Sequence, residues 1–391
     1  MNLIPSIRPS VVGKLNERSV LRVIQAQGPM SRADVVRQCD LSAPTVSKAV
    51  ASLLVSGLLE EIAAPLAARG RPAPILRLAT ERVQVLGVVI DAGHCTVLSA
   101  GFDGALRTDS TVSLSTPDTY AELLNCLETA CRNAMAKPGV TTLGLGVTLP
   151  GLLDYQRGCG VLSPNVPITN GHTPALDLEQ RLGVEAVLLQ ESHALCIAER
   201  QYGLAVGLND FAMMDVGAGV GLGVMSGGRI LKGHSGLAGE IGHITAVMEN
   251  GRLCGCGNTG CLETVCSDAA LAARVSQRIG RTLSVDGVVE YAQSSPGAIT
   301  QELHETARYL AVGVAAVINL FNPSTVFIHS RLFAAEPKFY DRIVEYTEKR
   351  ALPPSFAQCR IVPAKGNKPQ GAIAGIIQHL TNAVVPGLEH V

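Results

Sequence analysis

Through the first eighty residues the apolar positions recur at helical spacing, then break into short apolar runs. Within 16–27, Val20, Leu21, Val23 and Ile24 fall on one face, and Gly28-Pro29 ends the helix they predict. Ser31 opens Ser-Arg-Ala-Asp, a capping-box pattern, and Val35 and Val36 predict a second short helix ending near Cys39. After an Asp40-Leu41 turn, Ser42 is placed to cap a third helix with Pro44 in its first turn, where a missing N–H costs little. That helix buries Val46, Ala49, Val50, Leu53 and Leu54 and stops at Gly57. Residues 58–62 and 75–78 then read as two strands around Ala-Ala-Arg-Gly-Arg-Pro, a hairpin with Arg69 and Arg71 at its tip.

Helix, turn, helix and basic hairpin predict a winged helix-turn-helix over 1–80, a DNA-binding geometry. The outward residues of the third helix, Ser42, Ala43, Thr45, Ser47 and Lys48, are small or polar, so its N-terminal end can enter a major groove and touch bases and phosphates. Arg69 and Arg71 suit a narrow minor groove or phosphates.

From residue 81 onward the pattern is α/β. An apolar run over 83–90 ends in Asp91-Ala92-Gly93, and another over 211–214 ends in Asp215-Val216-Gly217; each is followed by further strands and then helices. A duplicated module is implied, with two Asp-x-Gly turns facing one cleft. Strands are expected over 143–149 and 186–189, with Gln190-Glu191-Ser192-His193-Ala194 as a loop at the ligand-binding end of the second and a helix from Leu195 to Tyr202. Helices over 298–319 and 337–350 and a strand over 360–362 continue the second lobe, and a helix over 371–379 returns to the first. These boundaries divide 81–391 into lobes of about 81–193 and 194–391.

Charge sharpens the contrast between head and body. Residues 1–80 hold ten Lys/Arg against five Asp/Glu, leaving 22 against 28 of the chain's 32 and 33 for the remainder. A basic head on an acidic body fits a protein in which only the head meets nucleic acid. The longest apolar stretch, 309–321, is too short to span a membrane, and the first residues lack the apolar core of a signal peptide. With eleven Cys, an odd number, reduced thiols and a cytoplasmic location are expected.

The densest chemistry lies between Gly239 and Glu263, in Gly-Glu-Ile-Gly-His and Cys-Gly-Cys-Gly-Asn-Thr-Gly-Cys-Leu-Glu. His243, Cys254, Cys256 and Cys261 offer one imidazole and three thiolates, a set suited to tetrahedral Zn²⁺. Four protein ligands leave no open position, so such an ion is structural.

These two motifs resemble the signature of the ROK family of repressors, open reading frames and sugar kinases, and further matches run from about Val85 to Gly375. The resemblance implies a two-lobed actin-like (RNase H-like) fold in which the zinc loop braces a sugar pocket and nucleotide phosphates sit at the two Asp-x-Gly turns. It carries over Glu240, His243 and Glu263 as sugar-hydroxyl ligands, and it places Gly151 and Ser163 in sugar-side loops. Three positions depart from the family's kinases. Glu191-Ser192 stands where they carry Asn-Asp, so the general base is lost. Asp91-Ala92-Gly93-His94-Cys95 replaces Asp-x-Gly-Gly-Thr, and His329-Ser330, after a strand over 325–328, replaces a Gly-Gly pair on the nucleotide side. The sugar side is kept while the catalytic side is degraded, which implies binding without phosphoryl transfer; Glu191 is then a charged contact to the effector. The expectation is a sugar-responsive repressor, a homodimer or homotetramer on a palindromic DNA operator. Against it stand a sugar kinase, whether or not it also binds DNA, and a DNA-binding protein whose body is only a dimerisation scaffold.

Overall fold

A computed structural model describes residues 9–63, 74–336 and 338–383. Arg69 and Arg71, at the expected wing tip, lie outside the described residues.

The head comprises α1 (Pro9–Gln27), β1 (Met30–Ser31), α2 (Arg32–Gln38), α3 (Ala43–Val55), β2 (Leu59–Ile62) and β3 (Ile75–Leu78). Helix α1 starts at Pro9 rather than near residue 16. Val12 in its first turns is exposed, so no buried stripe marks them in the sequence. Ser31 and Asp34 form the full capping box: the Ser31 amide donates to the Asp34 carboxylate (3.1 Å) and the Asp34 amide to the Ser31 hydroxyl (3.2 Å). Strand β1 pairs with β3 and makes the wing a three-stranded sheet; two residues are too short to show a period. Helix α3 buries Val46, Ala49, Val50 and Leu53, while Leu54 is only half-buried.

Lobe one holds β4 (Val83–Ile90), β5 (His94–Ala100), β6 (Leu106–Ser115), α4 (Tyr120–Met135), β7 (Thr141–Leu149), β8 (Leu152–Asp154), β9 (Cys159–Leu162), α5 (Pro174–Leu182), β10 (Glu185–Gln190) and α6 (Glu191–Tyr202). The boundary expected at 193/194 falls inside α6, so the helix carries lobe one on to Tyr202. Lobe two holds β11 (Phe211–Val216), β12 (Val220–Ser226), β13 (Arg229–Ile230), α7 (Glu263–Cys266), α8 (Asp268–Ile279), α9 (Val285–Ser294), α10 (Thr300–Phe321), β14 (Thr325–Ser330), α11 (Lys338–Glu348), α12 (Pro353–Gln358) and β15 (Arg360–Pro363). The final helix, α13 (Lys368–Ala383), packs on β4, β7 and β10 of lobe one.

The two sheets run β10-β7-β4-β5-β6 and β13-β12-β11-β14-β15. In each, the first strand pairs antiparallel with the second and parallel with the strand that follows the helical segment. This repeat puts the C-terminal ends of β4 and β11, with Asp91 and Asp215, on the two walls of one cleft. Strand β4 is buried along its whole length, as a central strand covered on both faces must be. Asp215 is still within β11, and His329-Ser330 are the last two residues of β14 rather than a turn after it, because β14 pairs with β11 as far as Ser330.

Head and body share one core. The cluster that contains Val20, Leu21, Val50 and Leu76 continues through Val85, Leu98 and Phe102 into Ile373, Ile376 and Ile377 of α13. Polar contacts close the same junction. The Glu60 carboxylate accepts from Arg77 (2.7 Å) and from the Thr80 hydroxyl (3.1 Å), and the Phe102 amide donates to the Ala79 carbonyl (2.9 Å).

Candidate functional site

The cleft, of about 660 Å³ with its open mouth, is lined on one side by Asp91, Gly151, Asn165, Gln190, Glu191, Ser192 and Lys368 and on the other by Asp215, Gly219, Glu240, His243 and Glu263. Of the effector residues expected from sequence, Gly151, Glu191, Glu240, His243 and Glu263 meet there. Gly151 has φ +93°, and a Cβ on it would stand 2.4 Å from the Leu162 carbonyl oxygen, so only glycine fits this wall. Ser163 is the exception. It is buried, and its hydroxyl accepts the Val166 amide (3.2 Å) while its own amide donates to Asn170 (2.7 Å). It shapes the loop that presents Asn165 and does not itself face the cleft.

Glu191, Ser192 and His193 are not a solvated loop. Gln190 ends β10 and caps α6, its side-chain oxygen accepting the His193 amide, so the three residues form the helix's first turn and are all buried. Glu191 and Ser192 reach the cleft wall. The Ser192 hydroxyl donates to the Gln190 side chain, an acceptor that holds it in place but has no basicity to take its proton. His193 turns away from the cleft, its Nδ1 2.7 Å from the Tyr155 hydroxyl; burial, with Lys232 nearby, pushes its pKa down to about 4. His94, at the start of β5, is exposed.

Lys368, the first residue of α13, was missed from sequence. Its ammonium lies 2.9 Å from Glu191 Oε1 and 3.0 Å from Oε2, 3.2 Å from Asp91 Oδ2 and 3.9 Å from Asp215 Oδ2. The one local signal is a cation at a helix N-terminus, which the helix dipole disfavours unless anions compensate. Burial alone would lower its pKa; the carboxylates of Glu191, Asp215 and Asp91 reverse this and hold it above the ordinary lysine value. Burial also pushes Glu191 up to about 7 against the pull of Lys368, with Asp215 and Asp91 adding to the rise. Asp215, despite burial, is held below the ordinary range by Lys368 and by His329, whose Nδ1 is 2.8 Å from Asp215 Oδ1.

On the opposite side of the cleft, donor atoms of His243, Cys254, Cys256 and Cys261 all lie within 4.8 Å of one another. Cys256 and Cys261 Sγ are 3.7 Å apart and Cys254 Sγ is 3.6 Å from His243 Nδ1. These are the edges of a tetrahedron whose metal–sulfur bonds are about 2.3 Å and whose metal–nitrogen bond is about 2.0 Å, so the group fits one tetrahedral ion. The loop can be this tight because Gly260 has φ +75° and packs where a Cβ would meet the Val247 carbonyl oxygen at 1.9 Å. His243 Nδ1 faces the thiols, and Nε2 points toward Glu240, 3.7 Å away. Burial raises the Glu240 pKa, which His243 partly offsets.

In the head, Ser42, Ala43, Ser47 and Lys48 are exposed along the N-terminal half of α3, and Thr45 is half-buried, its hydroxyl 2.8 Å from that of Ser42. Among the described residues no helix is long and apolar enough to cross a membrane.

A winged helix-turn-helix fused to an actin-like, two-lobed body with a His/Cys loop at its cleft defines a class of protein that joins a DNA-reading head to a small-molecule site. The ROK family model matches residues 87–378, and the chain belongs to that family; a MarR family model matches 14–70 in the head. Over 362 residues it is 27% identical to the DNA-binding transcriptional dual regulator NagC of Escherichia coli K12, covering 88% of this chain and 86% of that protein. It is 23% identical over 378 residues to the xylose repressor of Bacillus spizizenii, covering 95% and 97% of the two chains. The crystal structure of a ROK family transcriptional regulator, a homologue of the E. coli MLC protein, superposes with a TM-score of 0.82 at 24% identity, over 96% of this chain and 98% of that one.

Proposed function

We propose that this protein is a sugar-responsive transcriptional regulator, a repressor, whose kinase-like body binds its effector without phosphorylating it. The observation that carries the proposal is the shared core: α13 begins at Lys368 in the cleft and ends among the winged-helix residues through Ile373, Ile376 and Ile377. A ligand that changes the lobe angle thereby acts on the helix against which the head is packed. Coupling of this kind requires a differential affinity of about 1–3 kcal/mol between the two arrangements. The relatives that share nearly the whole length are a transcriptional regulator and a repressor, which supports the same reading.

In this reading Glu240, His243 and Glu263 hold sugar hydroxyls from lobe two, while Gly151, Asn165 and Glu191 approach from lobe one. Carboxylates and an imidazole fixed by a rigid loop bind hydroxyls in a defined geometry. A structural Zn²⁺ on His243 Nδ1, Cys254, Cys256 and Cys261 braces that loop, with the His243 Nε2–H left to face the ligand. Ser192 supplies no general base, which supports an effector site over a kinase. On the head, α3 enters the major groove with Ser42, Ala43, Thr45, Ser47 and Lys48, and Arg69 and Arg71 contact the wing-side groove or phosphates. A homodimer or homotetramer would present recognition helices about 34 Å apart to a palindromic operator.

The test is binding of purified protein to labelled DNA from immediately upstream of its own gene, at fixed salt, across a panel of sugars and sugar derivatives. The expected result is specific binding that one sugar weakens. DNA binding that no sugar changes would reduce the body to a scaffold, and turnover of ATP dependent on a sugar would make it a kinase.

A further inference from the structure

The resemblance to the family's kinases implies a nucleotide over the two Asp-x-Gly turns, and this chain's residues do not fit one. The gap between the turns is filled from within. Lys368 projects from the start of α13 to within 3.2 Å of Asp91 Oδ2 and 3.9 Å of Asp215 Oδ2, and it pairs directly with Glu191. Behind Asp215, the remaining carboxylate oxygen is taken by His329. A nucleotide reaches such a site with a divalent metal ion that neutralises its phosphates against the protein's carboxylates. Here an ammonium is covalently part of the chain and already neutralises them. An incoming phosphate would face three carboxylates whose close partners, Lys368 and, at Asp215, His329, are already engaged, and a metal ion would have to displace the lysine that lies within 3.9 Å of all three.

We infer that Lys368 is an internal counter-ion standing in the place of a metal–nucleotide, and that it makes the cleft selective for unphosphorylated ligands. Asp91 and Asp215, instead of orienting phosphates, anchor α13 to both walls of the cleft. Three convergent carboxylates are a hard-cation ligand set once the ammonium is gone. Removing Lys368 therefore exposes a divalent-cation site that the native chain keeps shut. The inference rests on the reading of the cleft as an effector site, but its test uses neither DNA nor a sugar, so the two fail independently.

The experiment is calorimetric titration of the zinc-loaded full chain with Mn²⁺, with Mg·ADP and with orthophosphate, for the wild type, Lys368→Ala and Lys368→Arg. The wild type and Lys368→Arg are expected to show no saturable binding of any of the three. Lys368→Ala is expected to gain about one Mn²⁺ per chain, and Asp215→Asn in the same background to lose it again. Saturable binding of Mg·ADP or orthophosphate by the wild type overturns the inference without recourse to any variant. So does a folded Lys368→Ala protein, checked by its thermal transition, that takes up no Mn²⁺. If Lys368→Ala does not fold, Lys368→Met, which keeps the apolar stem, replaces it in the same titration with the same two outcomes.

Discussion

The Glu199 carboxylate, wholly buried in α6, accepts the backbone amide of Gly366 at 2.6 Å, fixing the turn between β15 and α13 to the helix that begins at the cleft. The same side chain accepts the amides of Lys365 (3.0 Å) and Leu204 (2.7 Å). A carboxylate serving three backbone donors, the Gly366 amide buried and the other two partly so, is worth more than a surface contact, because a buried donor left unpaired costs about 1–3 kcal/mol. Glu199→Ala is expected to destabilise the protein by about 3 kcal/mol or more. Chemical denaturation measures this directly, and a change under about 0.5 kcal/mol would show that water or a rearranged turn replaces the carboxylate.

The shared core of head and body makes a second expectation. Ile376 is fully buried among residues of both parts, so Ile376→Ala leaves a cavity and should cost about 2–5 kcal/mol. Because that cavity lies at the junction, the wild type is expected to unfold with head and body in one transition and the variant to separate them. Calorimetry of both proteins decides it; a wild-type head that already melts alone would show that the junction does not couple them.

The features legible in the sequence were those set by neighbours along the chain. Ser31 and Asp34 are three residues apart, Ser42 caps the helix that follows it, and Cys254, Cys256 and Cys261 sit in one loop. The two apolar runs ending in Asp-x-Gly gave the duplicated lobes for the same reason. What escaped depends on contacts distant in sequence. Lys368 meets Glu191 from 177 residues away and Asp91 from 277, and no periodicity reports such a meeting. Glu191 to His193 read as a loop because polar residues after a strand usually are one; here Gln190 caps a helix and the polar side chains are buried against partners. Ser163 carried the right residue type for a ligand contact, but its hydroxyl is spent on the Val166 amide.

The group of His243, Cys254, Cys256 and Cys261 allows a measurement on the purified protein. Elemental analysis is expected to give about one zinc per chain, and chelation to lower the thermal transition, since binding energy at a four-ligand site is folding energy. Cys256→Ser removes one thiol of the set within 4.8 Å and should abolish stoichiometric zinc. Retention of a full equivalent by Cys256→Ser would remove this residue from the ligand set.

Asp268 predicts a pH dependence. It is buried at the start of α8 and accepts the Ser330 hydroxyl (2.7 Å) and the Arg331 amide (2.9 Å). Burial nevertheless pushes its pKa up to about 7, those two donors opposing the rise. Below the ordinary Asp value, about 3.9, the group is protonated in both folded and unfolded chains. Between there and about 7 the unfolded chain releases the proton first, so this residue's contribution to stability falls as pH rises and levels off above that range. Asp268→Asn should remove that component, flattening the wild-type decline by a few kcal/mol at most. Denaturation midpoints across the same range test it: an Asn variant with the wild-type slope would assign the decline elsewhere, and Glu191, also pushed up to about 7, would be the next group to replace.

The placement of α3 yields the last prediction. Lys48 is exposed beside Ser47 on the helix's outer face, in the second turn after the Ser42 cap. A lysine at this position meets phosphate as a point charge, whereas a small hydroxyl nearer the base edges reads sequence. Lys48→Ala should therefore weaken binding to specific and nonspecific DNA alike and reduce the salt slope by about one phosphate contact. Ser47→Ala should leave the slope intact and lower the preference for the cognate base pair. Titrations at several salt concentrations separate the two effects, since one changes the slope and the other only the offset between cognate and mutated sites. If neither substitution alters affinity, slope or preference, α3 does not lie in the groove, and the head binds DNA by another face.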